Sequence, residues 1–286
     1  MSTKDSSFLG RLTSDFEVND LLFRTSVYLV IAFIVSMSII PLLYVISVSF
    51  RAPSELFTSP HLIPKTFTFE MWTEAISELR GPLKSSVIIA TGTAIIALLI
   101  TIPGAYVFGR KEFPGKEMFF YIIVISLMFP YVILIIPISA TWLELGLYNT
   151  IPGLWLGYQI FVAPFAIWIL RDFFAKLPKN LEEAAQVYGC SQFSAFVRVI
   201  LPISAPAVMA VGFLAFLTGW NDFMFSYMLT TSIGPQPAIV HLFKSISAGE
   251  RILWGLMMAE AIIIGTPPTI LYLISRRYLT NAFAVD

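Results

Sequence analysis

The chain has 286 residues, of which 57% are hydrophobic and 13% charged, and its mean hydropathy is +0.80. Soluble domains average about 45–50% apolar and about 25% charged residues, so this composition predicts an integral membrane protein. The formal net charge is zero, which gives no reason to expect a nucleic-acid partner. The single cysteine, Cys190, excludes an intrachain disulfide, and neither it nor the separated His61 and His241 predicts a metal site. We expect both histidines on solvated loops.

Six hydrophobic runs are each near the roughly 20 residues that a helix needs to cross a bilayer. The first, Tyr28–Phe50, is too long for a signal-peptide core and lacks a small-residue cleavage site, so we expect it to remain as a span. The other five are Val87–Phe108, Met118–Ala140, Ile151–Leu170, Val199–Leu217 and Ile252–Ile274. Their internal prolines predict kinks, which spanning helices tolerate. The sequence predicts an all-α polytopic membrane protein with a cytoplasmic segment, 1–27, and a six-helix transmembrane domain, 28–286.

Basic residues favour one orientation of these spans. The second loop, Gly109–Lys116, is short and basic, the loop between spans four and five carries several basic residues, and the third loop, Thr141–Thr150, carries none. The positive-inside rule therefore places both termini and the basic loops in the cytoplasm. The segments 51–86 and 233–250 are then extracytoplasmic, and the first contains a predicted short helix, Phe69–Leu79, with Trp72 and Ile76 on one side.

A long polar segment, 177–202, separates spans four and five and contains residues typical of the starts and ends of two short helices. Asn180 is expected to cap the first, with Glu183 reaching back to the cap amide. Leu181, Ala184, Ala185 and Tyr188 then form one apolar stripe, and Gly189 is expected to end the helix in a left-handed turn. Ser191 is expected to cap a second helix that runs into the membrane, with an apolar stripe at Phe193, Phe196, Val197, Ile200 and Leu201.

The spacing within this segment resembles the EAA loop of the membrane subunits of ABC importers. Glu183-Ala184-Ala185 is followed after three residues by Gly189, and after nine more by Val199–Pro202. The family pattern reads EAA, three residues, G, nine residues, I, any residue, LP, so Val in place of Ile is the one departure.

Other features resemble the carbohydrate branch of that family, the maltose-type permeases. These are the basic turn Gly109–Lys116, the Trp220–Phe223 element after span five, and Arg277–Leu279 after span six. Ser85-Ser86 stands where that branch usually has Asn-Ser. The resemblance runs from about the first span to the C-terminus.

The resemblance implies the type I importer permease fold and a set of partners. The first short helix would be a coupling helix that sits in a cleft of a separate cytoplasmic ATPase. The residues that would form or orient it are Glu183, Ala184, Ala185, Gly189, Leu201 and Pro202. Two ATPase subunits would hold ATP and Mg²⁺, and this chain would bind no cofactor. A second permease subunit, expected to differ from this one, and an extracytoplasmic solute-binding protein would complete the importer. Glu183 is either a helix cap, a charge offered to the ATPase, or both.

Polar residues in or beside the spans are the candidates for a substrate path. Glu260 lies in the middle of span six, where a charge is costly, so we expect it to face the bundle interior or a water-filled cavity. It either lines the path or makes an interhelical hydrogen bond. Trp220, Asn221 and Asp222 end span five; they could bind sugar rings and hydroxyls, or serve as an interfacial anchor followed by a helix stop.

The sequence argues against an enzyme. It has no phosphate-binding loop of the Gly-x-x-x-x-Gly-Lys-Ser/Thr type, so we do not expect this chain to hydrolyse ATP itself. The interpretation is therefore a non-catalytic permease subunit of an ATP-driven importer, most consistent with a sugar or oligosaccharide as solute. Two alternatives stay open: an ATP-independent secondary transporter that uses Glu260, and an ABC permease for a solute other than a sugar. The first is weakened because no inverted repeat is evident.

Overall fold

The computed structural model describes the backbone of residues 5–52, 55, 63–231, 233–247 and 254–283, and the side chains of residues 23–52, 55, 63–231, 233–246 and 254–276. The α-helices are α1 (Asp5–Ser49), α2 (Glu70–Arg110), α3 (Lys116–Ile125), α4 (Tyr131–Glu144), α5 (Ile151–Lys176), α6 (Asn180–Val187), α7 (Gln192–Ala195), α8 (Leu201–Ile203), α9 (Ala205–Asn221), α10 (Met224–Leu229), α11 (Ala238–Ser247) and α12 (Trp254–Phe283). Apart from an isolated bridge between Arg51 and Phe67, the regular structure described is helical, as predicted.

Four helical segments are long and apolar enough to cross a membrane: Phe23–Ser49, Glu70–Arg110, Ile151–Lys176 and Trp254–Arg276. Two pairs of shorter helices meet the same criterion only when each pair is taken together, which would bring the number of spans to six. The predicted first, second, fourth and sixth spans are thus confirmed as single helices. The third and fifth are broken.

The break in the third predicted span, Met118–Ala140, lies at Pro130. A 3₁₀ turn, Ser126–Met128, follows α3 and ends at Phe129, whose backbone is extended (φ −73°, ψ 126°). Helix α4 then follows at an angle of 99°. Proline disfavours helical geometry in the residue before it and has no N–H to continue the helix. Pro137 lies inside α4 without breaking it.

The fifth predicted span, Val199–Leu217, is also not one helix. Its first residues lie in a π-helical turn, Phe196–Ile200, and in α8, and the chain then bends by 76° into α9. The bend is at Ser204, whose backbone leaves helical geometry (φ −84°, ψ 2°) and whose hydroxyl donates to the Ile200 carbonyl at 2.7 Å. The expectation that one helix would run from Ser191 into the membrane is therefore wrong.

The predicted short helix Phe69–Leu79 is not a separate element. It is the beginning of α2, which continues for 41 residues through Pro82 and Pro103 to Arg110. The helix passes Pro82 without a break. The second predicted span thus extends well beyond its apolar run at the N-terminal end.

The chain divides into two compact units. The first comprises Met1–Trp72 with Leu253–Ala259, and its described part includes a face-to-face ring contact of Phe50 with Trp72, whose centroids are 5.2 Å apart. The second comprises Thr73–Ile252 with Glu260–Asp286. In it, α5 and α9 pack together, and two apolar clusters lie along them. One cluster includes Leu154, Tyr158 and Phe225; the other includes Phe174 and Phe196.

Candidate functional site

We call the segment 177–202, which is predicted to couple to an ATPase, the coupling segment. It contains the first predicted short helix as α6, but this helix begins differently from the prediction. Lys179, in helical geometry, precedes the first helical residue, and no side-chain hydrogen bond caps this end. The predicted Asn180 cap with its Glu183 partner is therefore wrong. Glu183 is exposed on the first turn, where a negative charge complements the partial positive charge of a helix N-terminus. Its carboxylate is thus not engaged as a helix cap.

The end of α6 agrees with the prediction. Gly189 has a φ of +90°, its N–H donates to the Gln186 carbonyl at 2.9 Å, and the Cys190 N–H donates to the Ala185 carbonyl at 3.0 Å. These two bonds around a left-handed residue form a Schellman motif. Ser191 accepts a hydrogen bond from the Ser194 N–H at 3.2 Å and so caps α7, as expected. The exit of the chain from α6 is therefore fixed by local backbone chemistry.

Arg110, the last residue of α2, connects the beginning of the coupling segment to the helical bundle. Its side chain is only 2% exposed. Nε donates to Glu182 Oε1 at 3.1 Å, Nη1 donates to the Leu177 carbonyl at 2.5 Å, and Nη2 donates to the Pro178 carbonyl at 3.2 Å. The sequence marked this residue only as a basic loop residue. Its partners are 67 to 72 positions away, so no local pattern could have identified the contact.

The preceding residue, Gly109, allows this contact by letting α2 approach α5. A β-carbon built at Gly109 would lie 2.8 Å from the Arg171 carbonyl oxygen and 3.0 Å from the β-carbon of Phe174. Backbone does not yield easily to such a clash, so a side chain here would push α2 away from α5. The close approach places Arg110 against the chain that leaves α5 for α6.

The outer surface of the coupling segment is apolar and uncovered. Val187 is 85%, Tyr188 89% and Phe193 75% exposed. The predicted coupling residues Glu183 and Ala184 are exposed as well. The inner side is packed, since Leu177 and Leu181 lie against the apolar cluster that contains Phe174 and Phe196. The remaining predicted residues are Ala185, which is half-buried, Gly189 and Pro202, which are exposed, and Leu201, which lines an apolar cavity with Leu98 and Ile102.

Trp220 is buried among helices instead of lying at a surface. Its side chain is fully buried, its indole N–H donates to the Ile264 carbonyl of α12 at 3.1 Å, and its ring stacks on Phe216. It is therefore not an interfacial anchor, and a sugar could contact it only after a movement of α9 relative to α12. Asn221 is exposed at the last residue of α9. The substrate-path role of both residues stays a prediction.

Asp222 forms a compact hydrogen-bonded group with Tyr158 and Ser226. Its Oδ2 accepts from the Tyr158 hydroxyl at 3.1 Å and from the backbone N–H groups of Phe225 and Ser226 at 3.0 and 3.1 Å. The Tyr158 and Ser226 hydroxyls are 2.6 Å apart. Asp222 thus satisfies N–H groups at the start of α10 and links that helix to α5. A helix stop was one of the two interpretations of the sequence, but neither of them included this link.

Glu260 is completely buried, as the cost of a charge in a membrane predicts. Both of its carboxylate oxygens lack a hydrogen-bond partner among the described residues, so the predicted interhelical hydrogen bond is not found. Its nearest charged neighbours are on other helices: His241 Nε2 lies 3.6 Å from Glu260 Oε1 and 3.6 Å from Glu78 Oε2. The three side chains come from α2, α11 and α12.

His241 is not the loop residue that the sequence predicted. It lies in α11, and its Nε2 atom is buried without a hydrogen-bond partner among the described residues. The nearby Glu260 carboxylate is the main cause that raises the pKa of His241 above its ordinary value; partial burial opposes it, and Glu78 adds to it. The helical spacing of Ala238, His241 and Leu242 was the available signal. His61 lies outside the described residues, and so do the side chains of Arg277–Leu279.

These features define a multi-pass helical membrane protein with an anchored, protruding segment between two of its spans. A solved ABC transporter involved in import of the acidic polysaccharide alginate has the same fold: the TM-score is 0.77 at 18% identity, with 98% of this chain and 99% of that chain covered. The predicted importer permease fold is thus confirmed.

The chain belongs to the family described as the binding-protein-dependent transport system inner membrane component, whose model matches residues 101–285. It is 30% identical over 251 residues to the diacetylchitobiose uptake system permease protein NgcG of Streptomyces coelicolor, covering 85% of this chain and 82% of the relative. It is 32% identical over 247 residues to the trehalose/maltose transport system permease protein MalG of Thermococcus litoralis, covering 84% and 88%. The predicted membership among ABC importer permeases is confirmed, as is the resemblance to their carbohydrate branch.

Proposed function

We propose that this permease imports a sugar or oligosaccharide and that α6 couples it to a separate cytoplasmic ATPase. The observation that carries the coupling role is that both ends of α6 are held in place while apolar side chains of the same segment are exposed. Arg110 holds the start of the segment against α2, and the left-handed backbone of Gly189 sets the direction in which the chain leaves α6. The apolar side chains of Val187, Tyr188 and Phe193 are exposed. Exposed apolar groups on a polar protein surface mark interaction sites.

The proposed mechanism is a rigid transfer of movement. ATP and Mg²⁺ bind to two ATPase subunits, their closure moves α6, and the permease changes from an inward-open to an outward-open state. A solute delivered by an extracytoplasmic binding protein then enters the cavity, and hydrolysis resets the importer. The basic loops support the orientation with both termini in the cytoplasm. A second permease subunit completes the pathway, because six spans make a narrow bundle, and the resemblance to maltose-type permeases favours a different chain as this partner.

Two substitutions in the coupling segment test this proposal. Gly189→Pro cannot adopt the left-handed turn, and Glu183→Lys reverses an exposed charge on the first turn of α6. We expect both variants to insert normally but to lose co-purification with the ATPase and uptake of solute into proteoliposomes. Glu144→Lys, the same charge reversal on an exposed residue at the end of α4, is the matched control and should retain both. Normal ATPase binding and uptake in the two test variants would contradict the coupling role.

The solute class is tested separately through the cognate binding protein. The names of the two relatives direct the choice of sugars to trehalose, maltose and diacetylchitobiose. We expect at least one di- or oligosaccharide to raise the melting temperature of the binding protein and to be taken up in an ATP-dependent way. Binding of only non-sugar solutes would reject the sugar proposal, while uptake that persists without any ATPase would favour the secondary transporter.

A further inference from the structure

The cluster of Glu78, His241 and Glu260 has the composition of a metal site. One ligand atom from each side chain can be chosen so that all lie within 4.8 Å of one another. Imidazole nitrogen and carboxylate oxygen are both ligands that Zn²⁺ takes in proteins. The two carboxylates carry two negative charges, which a divalent cation would balance with the histidine neutral.

The distances within the cluster fit a shared ion better than direct hydrogen bonds. Both contacts of His241 Nε2 measure 3.6 Å, whereas N–H···O bonds in proteins fall at about 2.7–3.2 Å. Two ligands at Zn²⁺ distances of about 2.0–2.1 Å in a tetrahedron lie about 3.3 Å apart. All three ligand atoms lie within 4.8 Å of one another, so a contraction of the cluster would bring His241 and both carboxylates to coordination distance.

The burial of Glu260 provides an independent reason to expect a ligand. Its side chain is 0% exposed, and neither carboxylate oxygen has a hydrogen-bond partner among the described residues. A buried carboxylate without compensation is strongly unfavourable, so a group that neutralises it stabilises the folded protein. His241 and Glu78 are 22% and 40% exposed, which leaves the cluster open to water on one side. A water molecule can therefore reach a fourth coordination position.

The surroundings of the cluster are apolar and held together independently. Leu79, Ala238 and Ile264, from the same three helices, form a buried contact. The Ala238 N–H also donates to the Ser86 hydroxyl at 2.8 Å, which fixes the start of α11 against α2. Substituting one ligand residue should thus remove the coordination without separating the helices.

We propose that Glu78, His241 and Glu260 bind one Zn²⁺ ion, with water as the fourth ligand, and that this ion joins α2, α11 and α12. The site is distinct from the coupling segment and does not depend on the solute that the permease carries. By the predicted orientation it lies towards the extracytoplasmic ends of these helices, where it would take up zinc from outside the cell.

The test measures zinc binding by the full chain, purified with a tag that contains no histidine and stripped with a chelator. After equilibration with Zn²⁺ alone, elemental analysis is expected to give one zinc per wild-type chain. We expect Glu260→Gln and His241→Gln to bind zinc more than about 100-fold more weakly, since even outer-shell changes weaken metal sites by about 10–100-fold. A Co²⁺-loaded sample is expected to show the strong visible absorption of a four-coordinate ion.

Two control variants test whether binding is specific to the cluster. Glu74→Gln neutralises an exposed glutamate one turn before Glu78 on α2, and His61→Gln removes the other histidine of the chain; both should bind zinc as the wild type does. His241→Gln keeps the test valid if Glu260→Gln fails to fold. The proposal is overturned if the wild type takes up no more zinc than His241→Gln, or if Mn²⁺ but not Zn²⁺ binds. Because ATPase docking is not measured here, failure would leave the proposed transport function unaffected.

Discussion

Arg110 and Glu260 are both buried charged residues, but their environments are opposite. The Arg110 side chain is 2% exposed and donates to Glu182 and to two backbone carbonyl groups. The Glu260 side chain is 0% exposed, and its oxygens have no hydrogen-bond partner among the described residues. Burial of a charge is tolerated when partners compensate it. The comparison therefore separates a charge that holds the fold together from a charge that is available to a ligand.

The two charges belong to sites that share α2. Arg110 ends this helix, and Glu78, the neighbour of His241, lies 32 residues earlier. At 1.5 Å per residue this separation is about 48 Å of helix, more than the thickness of a hydrocarbon core, which is about 30 Å. One helix thus carries the anchor of the coupling segment at its C-terminal end and part of the proposed zinc site near its N-terminal end.

The largest effect is expected from Arg110→Met, which keeps much of the side-chain length but removes every donor. Glu182 then remains as a poorly exposed carboxylate without its cation, and two carbonyl groups lose their donor. Breaking a buried pair in this way costs about 3–5 kcal/mol, so we expect a lower melting temperature and a large loss of ATP-driven uptake. Thermal unfolding of the purified subunit and uptake into proteoliposomes measure the two effects.

Lys176→Met is the matched control for this substitution. Lys176 is an exposed residue in the last turn of α5, close in sequence to the same segment. We expect little change in stability or uptake from its loss, because exposed charges contribute little. Faster tryptic cleavage after Lys179 in Arg110→Met alone would locate the loosening in the coupling segment. Equal behaviour of the two variants would show that Arg110 does not anchor α6.

Features that depend on neighbouring residues in the chain could be predicted from the sequence. Gly189 and Ser191 are such cases, because a left-handed helix end and a serine cap are determined within a few residues. The link from Arg110 to Glu182, and the meeting of His241 with Glu260, join separate helices and leave no local pattern. A cap at Asn180 was predicted on equally local grounds and is absent, since the contacts of Arg110 with Leu177 and Pro178 determine how the chain enters α6.

Whether a proline breaks a helix is likewise not determined by the local sequence. Pro103, Pro137 and Pro164 lie inside continuous helices, whereas the chain is broken at Pro130. The sequence predicts a weakened helix at each of them, because each proline removes one backbone donor. Whether the helix continues depends on how neighbouring elements satisfy the freed carbonyl group, which is a property of the folded bundle. The sequence therefore predicted a weakened helix at Pro130 but not that the chain would break there, and the structure has the predicted six spans only if each bent pair of helices counts as one.

A smaller effect on the coupling segment is expected from Gly189→Ala. No atom lies within 4 Å of a β-carbon at this position, so the cost arises from the left-handed backbone alone and is about 1–2 kcal/mol. Gly146→Ala is a close control, with a φ of +69° and equally open surroundings at the end of α4. We expect both variants to lose similar stability but only Gly189→Ala to lose uptake, by several-fold. Equal loss of uptake in both would mean that stability, and not the exit angle of α6, limits transport.

The smallest effect on stability is expected from Glu260→Gln in protein that has been stripped of metal. The sign of the change in the free energy of unfolding distinguishes the two buried charges most directly. Glutamine preserves the side-chain volume and removes a charge that has no hydrogen-bond partner, so the free energy of unfolding should stay within about 1 kcal/mol of the wild type or rise. Arg110→Met, also a neutralising substitution, should lower it. Zinc should then raise the melting temperature of the wild type and leave Glu260→Gln unchanged, because an ion that binds only the folded state stabilises it by mass action. If Glu260→Gln instead unfolds far below the wild type without metal, His241 already compensates the carboxylate, and the two buried charges differ only in how well they are paired.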